Sequence, residues 1–254
     1  MVEKISVNMI VRNGEDFVLP CLEAVLPFAS QVLVTVDSRS RDQTKTILYG
    51  LQKKWSKLGV YVWKVDNPLL DLVAMRNDQL ERSTGEWVWI VDSDEYYLST
   101  EIPKMWQTIG DLHIEEDCNF FSVKTISPWT MTLCHRGSSN IMSGAKVLRI
   151  VRNSPRLKWL GSWGKEQLTY NSESISDRRR ETKNHRRLNF SFIHFTHWKK
   201  DAWRQEMNQL RIADARCLKP MSSAIIKELE TLNNKYFIYE KMSLVQRGKI
   251  QDGH

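Results

Sequence analysis

Three acidic residues directly follow an apolar, strand-like segment in the stretch WVWIVDSDEYY. Asp92 and Asp94 are two positions apart, and Glu95 comes next. Bringing like charges together costs free energy unless a cation lies among them. Carboxylate oxygens are ligands that Mg²⁺ and Mn²⁺ favour, and water and substrate phosphates complete the shell of Mg²⁺. The D-S-D stretch therefore indicates an anchor for a metal and a diphosphate, with a solvated turn as the alternative.

The elements that must position these acids alternate along the first half of the chain. Strands are predicted at residues 4–11, 31–36, 60–65 and 86–91, and helices at 16–29, from Asp42 to a stop at Gly59, and at 75–83. This alternation is typical of a mostly parallel sheet covered by helices. The second half is less regular, with strands predicted at 119–126, 146–152 and 190–198 and helices at 200–218 and 222–242.

Polar residues collect where the predicted strands end. They are Arg12 and Asn13 after Val11, Asp37 after the second strand, Asp92 and Asp94 after the fourth, and Arg76 and Asn77 just before the fourth. In open α/β sheets, ligands bind outside the carboxyl ends of the strands. The sequence therefore predicts a polar site at one edge of an apolar sheet.

Composition and length bound the class of protein. The chain has 254 residues, of which 41% are hydrophobic, and this fits one large domain with a sizeable core. It contains no apolar run of the length that a membrane span needs, and its start lacks the zones of a signal peptide. Its four cysteines are far apart and form no C-x-x-C pair. We therefore expect buried thiols and a cytoplasmic protein.

Much of the net charge of +7 comes from one segment. The stretch RRRETKNHRR, residues 178–187, carries six Lys or Arg side chains and one Glu. Such a segment is usually a solvated loop, and we expect a loop here. It can also guide an anionic acceptor, such as a phosphorylated lipid or glycan, a membrane surface, or DNA carrying a modified base.

Four stretches resemble glycosyltransferase family 2, the inverting enzymes of the GT-A fold. VNMIVRNGEDFVLPCL resembles the first strand and helix of that family, and VLVTVDSRSRDQT resembles its V-D-x-x-S-x-D-x-T segment. MRNDQLERSTGEWVWIVDSDE is similar to the block that runs from R-N to G-x-W and D-x-D-E, and it is the most specific of the four. SPRLKWLGSWGKEQL resembles a later, weaker element that usually ends in His-Glu.

The resemblance implies a fold and an activity. The fold would be α/β of GT-A type, a mostly parallel Rossmann-like sheet flanked by helices, with a mixed C-terminal half. Residues 1–254 would form one domain, with a nucleotide-sugar-binding half at 1–98 and an acceptor-side half with C-terminal helices at 99–254. The activity would be a metal-dependent, inverting sugar (hexosyl) transfer from a nucleotide-diphosphate sugar, above all a UDP-sugar, to an acceptor hydroxyl, with Mn²⁺ or Mg²⁺ as cofactor.

The resemblance also implies roles for individual residues. Asp92 would face the ribose and the metal, and Asp94 would bind the metal directly. Asp37 would hold the nucleoside, and Arg76 would pair with phosphate or nucleoside. The other implied nucleotide-binding positions are Val11, Arg12, Asn13 and Ser93. Two positions depart from the family pattern, because Ser38 stands where a second Asp is frequent and Gly14 where a Glu is frequent.

An inverting transfer needs a base that takes the proton of the acceptor hydroxyl. Glu166 is the candidate implied by the resemblance, with Lys165 in the place of the usual histidine, and Glu95 and Asp111 are weaker rivals. His194 matches a histidine that completes the metal shell in related enzymes, and a core histidine is the alternative.

Two other classes of function stay open. A nucleotidyltransferase also uses acids and Mg²⁺ on an α/β sheet, but its glycine-rich, lysine-bearing loop is missing from VRNGEDF. A non-catalytic nucleic-acid-binding module would use the basic segment and would bind DNA with a steep salt dependence.

Overall fold

The computed structural model describes residues 4–111, 120–128, 131–135, 146–162, 164–175, 185–195, 198 and 218–238. The strands are β1 Ile5–Val11, β2 Gln31–Asp37, β3 Leu58–Trp63, β4 Trp87–Ile90, β5 Glu95–Tyr97, β6 Phe120–Ile126, β7 Leu133–His135, β8 Lys146–Arg152, β9 Leu157–Leu160, β10 Gln167–Tyr170, β11 Glu173–Ser174, β12 His185–His194 and β13 Leu218–Pro220. The helices are α1 Val18–Val25, α2 Thr44–Lys54, α3 Pro68–Arg82, α4 Ile102–Asp111 and α5 Ser223–Tyr236, and a 3₁₀ turn at Leu26–Phe28 follows α1.

The chain divides into two compact units, and the first comprises Met1–Ser93, Ser99–Ser122 and Leu148–Leu188. Its sheet has the strand order β3-β2-β1-β4-β8. The first four of these strands run parallel, whereas β8 pairs antiparallel with β4. The predicted α/β class with a mostly parallel sheet is thus confirmed, and the carboxyl ends of β1, β2 and β4 meet at one edge.

Apolar side chains explain why β1, β2 and β4 occupy the middle of this sheet. Nearly every residue of these three strands is buried, as expected for strands covered on both faces. In β3 most positions are exposed or half-buried, which fits an edge strand. The four strands predicted in the first half are present, each within about two residues of its expected ends.

Two helices differ from the prediction. Helix α2 ends at Lys54, so Gly59 does not stop it and lies in β3 instead. Helix α3 begins at Pro68, well before residue 75. Its start has a cap, because the Asn67 side chain accepts a hydrogen bond from the backbone N–H of Leu69, and proline suits the first helical position.

A buried polar contact fixes α3 on the sheet. The Gln79 side-chain amide of α3 donates to the carbonyl of Met9 at 2.7 Å and lies 3.0 Å from Oγ1 of Thr35. At the end of the helix, Asn8 donates to Oγ of Ser83 at 3.0 Å. Because buried polar groups are costly without partners, these bonds define one position of α3 over the sheet.

A three-stranded sheet of β9, β10 and β11 packs beside α3. The Asn77 side chain bonds both backbone groups of Trp159, accepting from its N–H at 2.8 Å and donating to its carbonyl at 3.0 Å. Asn77, which the sequence analysis grouped with the polar edge, therefore ties α3 to β9.

The second unit comprises Asp94–Leu98, Val123–Val147 and Asn189–His254. In it β5 pairs antiparallel with β12, and β7 with β13. The hydroxyl of Tyr96 donates to Oε1 of Glu228 in α5 at 2.7 Å. Helix α5 confirms the predicted last helix in part, while residues 200–217 lie outside the described residues.

Several sequence expectations concern single features of the chain. Cys21 and Cys134 are free and buried, as expected, and the other two cysteines lie outside the described residues. Within the described ranges, every helix is too short or too polar to cross a membrane. Strand β12 ends at His194 rather than at residue 198. The single domain over residues 1–254 stays a prediction.

A glycine pair tests the close approach of β1 to the start of β4. A Cβ on Gly85 would lie 2.5 Å from the backbone nitrogen of Ser6, whereas a Cβ on Gly50 in α2 meets nothing within 4 Å. We expect Gly85→Ala to lower the free energy of unfolding by about 1–3 kcal/mol through overpacking. Gly50→Ala should raise it by about 0.5–1 kcal/mol, the helix-propensity difference. Urea unfolding measures both, and equal stability of the two variants would contradict the packing described.

Candidate functional site

Asp92 follows β4 and lies between two arginines of the first unit. Arg149 Nη2 donates to its Oδ2 at 3.1 Å, and Arg76 Nη2 lies 3.5 Å from its Oδ1. The side chain of Asp92 is 33% exposed, whereas those of Arg76 and Arg149 are only 12% and 13% exposed. Two guanidinium groups, one on each carboxylate oxygen, therefore compensate this acid at the carboxyl end of β4.

Arg149 was missed by the sequence analysis. It lies on β8, a strand of otherwise largely apolar residues, and its partner is 57 positions away in the chain. An arginine in a predicted buried strand is itself a signal, because buried charges need a partner. The sequence alone could not say which acid that partner is.

Arg76 lies on α3 and stacks on an aromatic ring. Its guanidinium carbon is 4.7 Å from the ring centroid of Trp159, a cation–π contact. Its Nε is buried and has no hydrogen-bond partner among the described residues. The structure thus places Arg76 beside the D-x-D stretch, near Asp92. The ring of Trp159 packs against its guanidinium group.

Asp37 ends β2 and is held by a residue of its own loop. Arg39 Nη2 donates to Oδ2 of Asp37 at 2.6 Å and Nε donates to Oδ1 at 3.0 Å. Burial alone would raise the pKa of the Asp37 carboxyl. The side-chain and backbone hydrogen bonds from Arg39, together with the charges of Arg39 and Arg12, outweigh burial and lower that pKa below its ordinary value.

The loop after β1 carries the predicted nucleotide contacts Val11, Arg12 and Asn13. Val11 is buried, whereas Arg12 and Asn13 are exposed. Asn13 has a left-handed backbone with φ of 49°, and its Oδ1 accepts from the backbone N–H of Arg41 at 3.0 Å. Asn13 therefore shapes the turn and joins it to the loop after β2.

Ser93 and Gly14 lie close together at this edge. Ser93 is buried, and a Cβ added to Gly14 would lie 3.4 Å from its Oγ and 2.4 Å from Cγ2 of Val11. A side chain at position 14 would thus crowd Val11, and this close packing fits the glycine that stands here in place of the Glu of the family pattern.

Asp94 and His194 form a pair in the second unit. His194 faces Glu95 in the antiparallel register of β5 and β12, and the next residue, Phe195, donates its N–H to the carbonyl of Asp94 at 2.8 Å. His194 Nε2 lies 3.4 Å from Oδ2 of Asp94, and both side chains are buried or nearly so. Nδ1 of His194 is buried and has no hydrogen-bond partner in the described part of the chain.

Asp94 and His194 are two of the three metal ligands that the sequence analysis expected, and Asp92 is the third. A carboxylate and an imidazole lie close enough for one ion to contact both, so this pair fits a metal. Among the described residues, no three His, Cys, Asp or Glu side chains gather in one place. Metal binding by Asp92, Asp94 and His194 stays a prediction.

Glu166 lies in the first unit, just before β10, after the tight turn that begins at Gly161. Gly161 has φ of 100°, and a Cβ there would lie 2.5 Å from the carbonyl oxygen of Lys165. The carboxylate is half-buried, and its Oε2 has no hydrogen-bond partner among the described residues. Of its rivals, Glu95 is fully buried and Asp111 is exposed at the end of α4.

Part of the basic segment lies outside the described residues. Residues 178–184 are among these, and the segment continues into β12, where Arg186 and Arg187 are exposed. The ring of His185 stacks on Phe120, with ring centroids 5.3 Å apart, and lies 2.6 Å from Oγ of Ser122. The end of the predicted loop is therefore strand.

Residues 6–122 match the family model for Glycosyl transferase family 2. These residues belong to glycosyltransferase family 2. The match runs from β1 through the D-x-D stretch and includes Asp37, Arg76, Asp92 and Asp94. It confirms the expected family and argues against the nucleotidyltransferase and the non-catalytic nucleic-acid-binding module.

The chain is also similar in sequence to a curated enzyme and in fold to solved structures. Poly(ribitol-phosphate) beta-glucosyltransferase of Bacillus spizizenii is 32% identical over 97 residues, which are 37% of this chain and 15% of that protein. The crystal structure of S. aureus TarS 1-349 has a TM-score of 0.50 at 19% identity, covering 77% of this chain and 61% of that one. A second crystal structure of S. aureus TarS has a TM-score of 0.51 at 18% identity, covering 88% and 41%. The match thus spans only a small part of the Bacillus protein, and the structural likeness confirms the GT-A fold.

The Asp37–Arg39 pair predicts a measurable titration. Because the pKa of Asp37 is lowered in the folded protein, its stabilising contribution is present above the ordinary value of 3.8 and is lost as the pH falls below it. Arg39→Met should raise the pKa of the Asp37 carboxyl, measured by an NMR pH titration. Arg41→Met is the control, since only the backbone of Arg41 bonds this region. An unchanged Asp37 pKa in Arg39→Met would contradict the geometry.

Proposed function

We propose that this protein transfers a sugar from a nucleotide-diphosphate sugar, with UDP as the expected nucleotide, to a hydroxyl of a phosphate-rich polyol acceptor. One observation carries the donor side. An acid of the D-x-D stretch, Asp92, stands at the carboxyl end of β4 with its charge compensated and a third of its side chain exposed. The match of residues 6–122 to a glycosyltransferase family supports the same reading.

On the donor side, each residue has a chemical task that its surroundings support. The Asp92 carboxylate accepts hydrogen bonds from ribose hydroxyls, because a carboxylate offers about four acceptor positions and its arginine contacts use only some of them. Asp37, kept ionised by Arg39, accepts from the nucleoside. Arg76 and Arg12 provide positive charge for the diphosphate. Val11, Asn13 and Ser93 line the nucleotide through backbone and turn.

Asp94 and His194 would hold the metal. A bound divalent ion stabilises the negative charge that develops on the departing diphosphate. The imidazole nitrogen beside the carboxylate favours Mn²⁺ over Mg²⁺, which prefers oxygen ligands alone. Because these two side chains supply few protein ligands, water and diphosphate oxygens would complete the shell.

The charge of this chain and the name of its Bacillus relative both favour an anionic acceptor. The Bacillus relative is named for poly(ribitol-phosphate), a polyanion with free hydroxyls. This chain has a net charge of +7, much of it in residues 178–187. A basic segment attracts such a polyanion by long-range electrostatics. We therefore propose an anionic polyol-phosphate polymer as acceptor and the basic segment as its electrostatic guide.

Glu166 would serve as the base. Its carboxylate is half-buried, and the buried Oε2 has no hydrogen-bond partner among the described residues, so the group keeps acceptor capacity that the fold does not use. Attack of the deprotonated hydroxyl on the anomeric carbon from the side opposite the diphosphate would invert the configuration.

A thermal-shift panel tests the donor class. UDP-, GDP-, CMP- and dTDP-sugars are each added with and without Mn²⁺, because a ligand that binds only the folded state raises the midpoint by mass action. We expect a UDP-sugar to raise the midpoint and Mn²⁺ to enlarge the rise. In Asp94→Asn the Mn²⁺ increment should disappear, while in the exposed Asp111→Asn control it should persist. No shift with any nucleotide-sugar would refute the proposal.

Replacing Glu166 by Gln tests the base. We expect kcat to fall by about 10²–10⁴-fold, the usual contribution of general base catalysis, while KM for the donor changes little. Glu173→Gln, at an exposed position of β11, is the matched control and should retain full activity. If Glu166→Gln turns over at the wild-type rate, another group takes the proton.

A further inference from the structure

We propose that Arg149 is a positioning residue that orients the Asp92 carboxylate toward the ribose of the donor. The inference rests on the proposed function and adds a residue to the proposed donor site. Arg149 lies outside residues 6–122, which match the family model. It is carried by the contacts of three side chains in the first unit: Arg149, Asp92 and Arg76.

The pairing of β8 with β4 brings Arg149 to the correct end of the sheet. Arg152 faces Trp87 at the start of β4, and Ile150 faces Trp89. The next residue of β8, Arg149, therefore reaches the end of β4, two residues before Asp92 in register. Its guanidinium is nearly buried and is held from both sides, because Nη1 donates to the carbonyl of Leu148 at 3.2 Å and Nη2 to Asp92 at 3.1 Å.

The two arginines act differently on the carboxylate. The Arg149 contact has the length of a directional hydrogen bond, whereas Arg76 stands 3.5 Å from Oδ1, at the length of an ion pair only. A hydrogen bond fixes the rotation of the carboxylate, and an ion pair mainly supplies charge. Arg149 therefore determines which way the oxygens of Asp92 point, and Arg76 is supported separately by Trp159.

An oriented carboxylate has a measurable consequence. A site built to bond a hydroxyl discriminates strongly against a ligand that lacks it, because the acceptor then loses its partner. Wild-type protein should prefer UDP over 2′,3′-dideoxy-UDP. If Arg149 orients Asp92, its removal should reduce this preference and not only the affinity for both nucleotides.

Isothermal titration of UDP and 2′,3′-dideoxy-UDP against four proteins tests the assignment. Wild type should bind UDP at least about tenfold more tightly than the dideoxy nucleotide, a difference of about 1.4 kcal/mol. In Arg149→Gln the ratio should fall to within about twofold of unity, and Arg149→Lys, which keeps the charge without the planar fork, should be intermediate. Arg152→Gln is the matched control on the same strand, because Arg152 pairs with Glu86 at the start of β4, and it should keep the wild-type ratio.

Each contrary result has a distinct meaning. A wild-type ratio that persists in Arg149→Gln and Arg149→Lys overturns the assignment, since a purely structural arginine would weaken both nucleotides equally. A wild type that binds UDP and its dideoxy analogue equally overturns it as well, while leaving the proposed donor intact. A wild type that binds neither nucleotide overturns the proposed function together with the inference. Should Arg149→Gln fail to fold, the ratio in Arg149→Lys decides.

Discussion

The carboxylate of Asp92, held between Arg149 and Arg76, is the interaction on which the site depends. An acid at the end of a buried strand, followed closely by two more acids, would be unfavourable without compensating charge. A hydrogen bond to a charged group contributes about 1.5–3 kcal/mol when it is buried, and less here because the Asp92 side chain is 33% exposed and water screens its charge. The contact with Arg149 at 3.1 Å therefore stabilises the end of β4 and at the same time sets the direction of the carboxylate.

Three separate elements must be correctly placed for this interaction to exist. Helix α3 carries Arg76, and Gln79 and Asn77 of the same helix bind it to the sheet and to β9. Strand β8 carries Arg149 and pairs antiparallel with β4. The parallel core of β1, β2 and β4 thus provides a rigid frame, which fixes the positions of the side chains at its edge.

The acids of the D-x-D stretch are compensated by different chemistry. Asp92 has two guanidinium groups, which carry a permanent charge, whereas Asp94 has the imidazole of His194, a kind of side chain that can also bind metal ions. This difference fits the proposed roles, in which Asp92 contacts the nucleoside and Asp94 contacts the cation. In the same way Asp37 is bonded by Arg39 of its own loop, so that both acids proposed to bind the nucleotide are held by arginines.

The sequence was informative where the physics is local. Apolar runs in the sequence indicate buried strands. The acids at the ends of these strands could be placed at one edge of the sheet because parallel strands run in the same direction. Asn67 and Pro68, a cap followed by a proline, also mark the start of α3. The predicted helix at 75–83 begins later than α3 because it follows only the apolar residues near its end. The end of α2 was misplaced because Gly59 suggested a stop, while the chain leaves the helix at Trp55 and enters β3.

What the sequence could not provide is pairing over long distances. Arg149 and Asp92 are far apart in the chain, and only the antiparallel register of β8 against β4 brings them together. The contact of His194 with Asp94 depends likewise on the register of β12 against β5. The family resemblance predicted a role for His194 but none for Arg149 or Arg39.

A crystal structure of the protein with UDP tests the central claim most directly. The account predicts both ribose hydroxyl oxygens, or one of them, within about 3 Å of the Asp92 carboxylate, the normal length of such a hydrogen bond, with Arg149 still bonded to the same carboxylate. UDP bound elsewhere, or an Asp92 that turns away from Arg149 when the nucleotide binds, would contradict it.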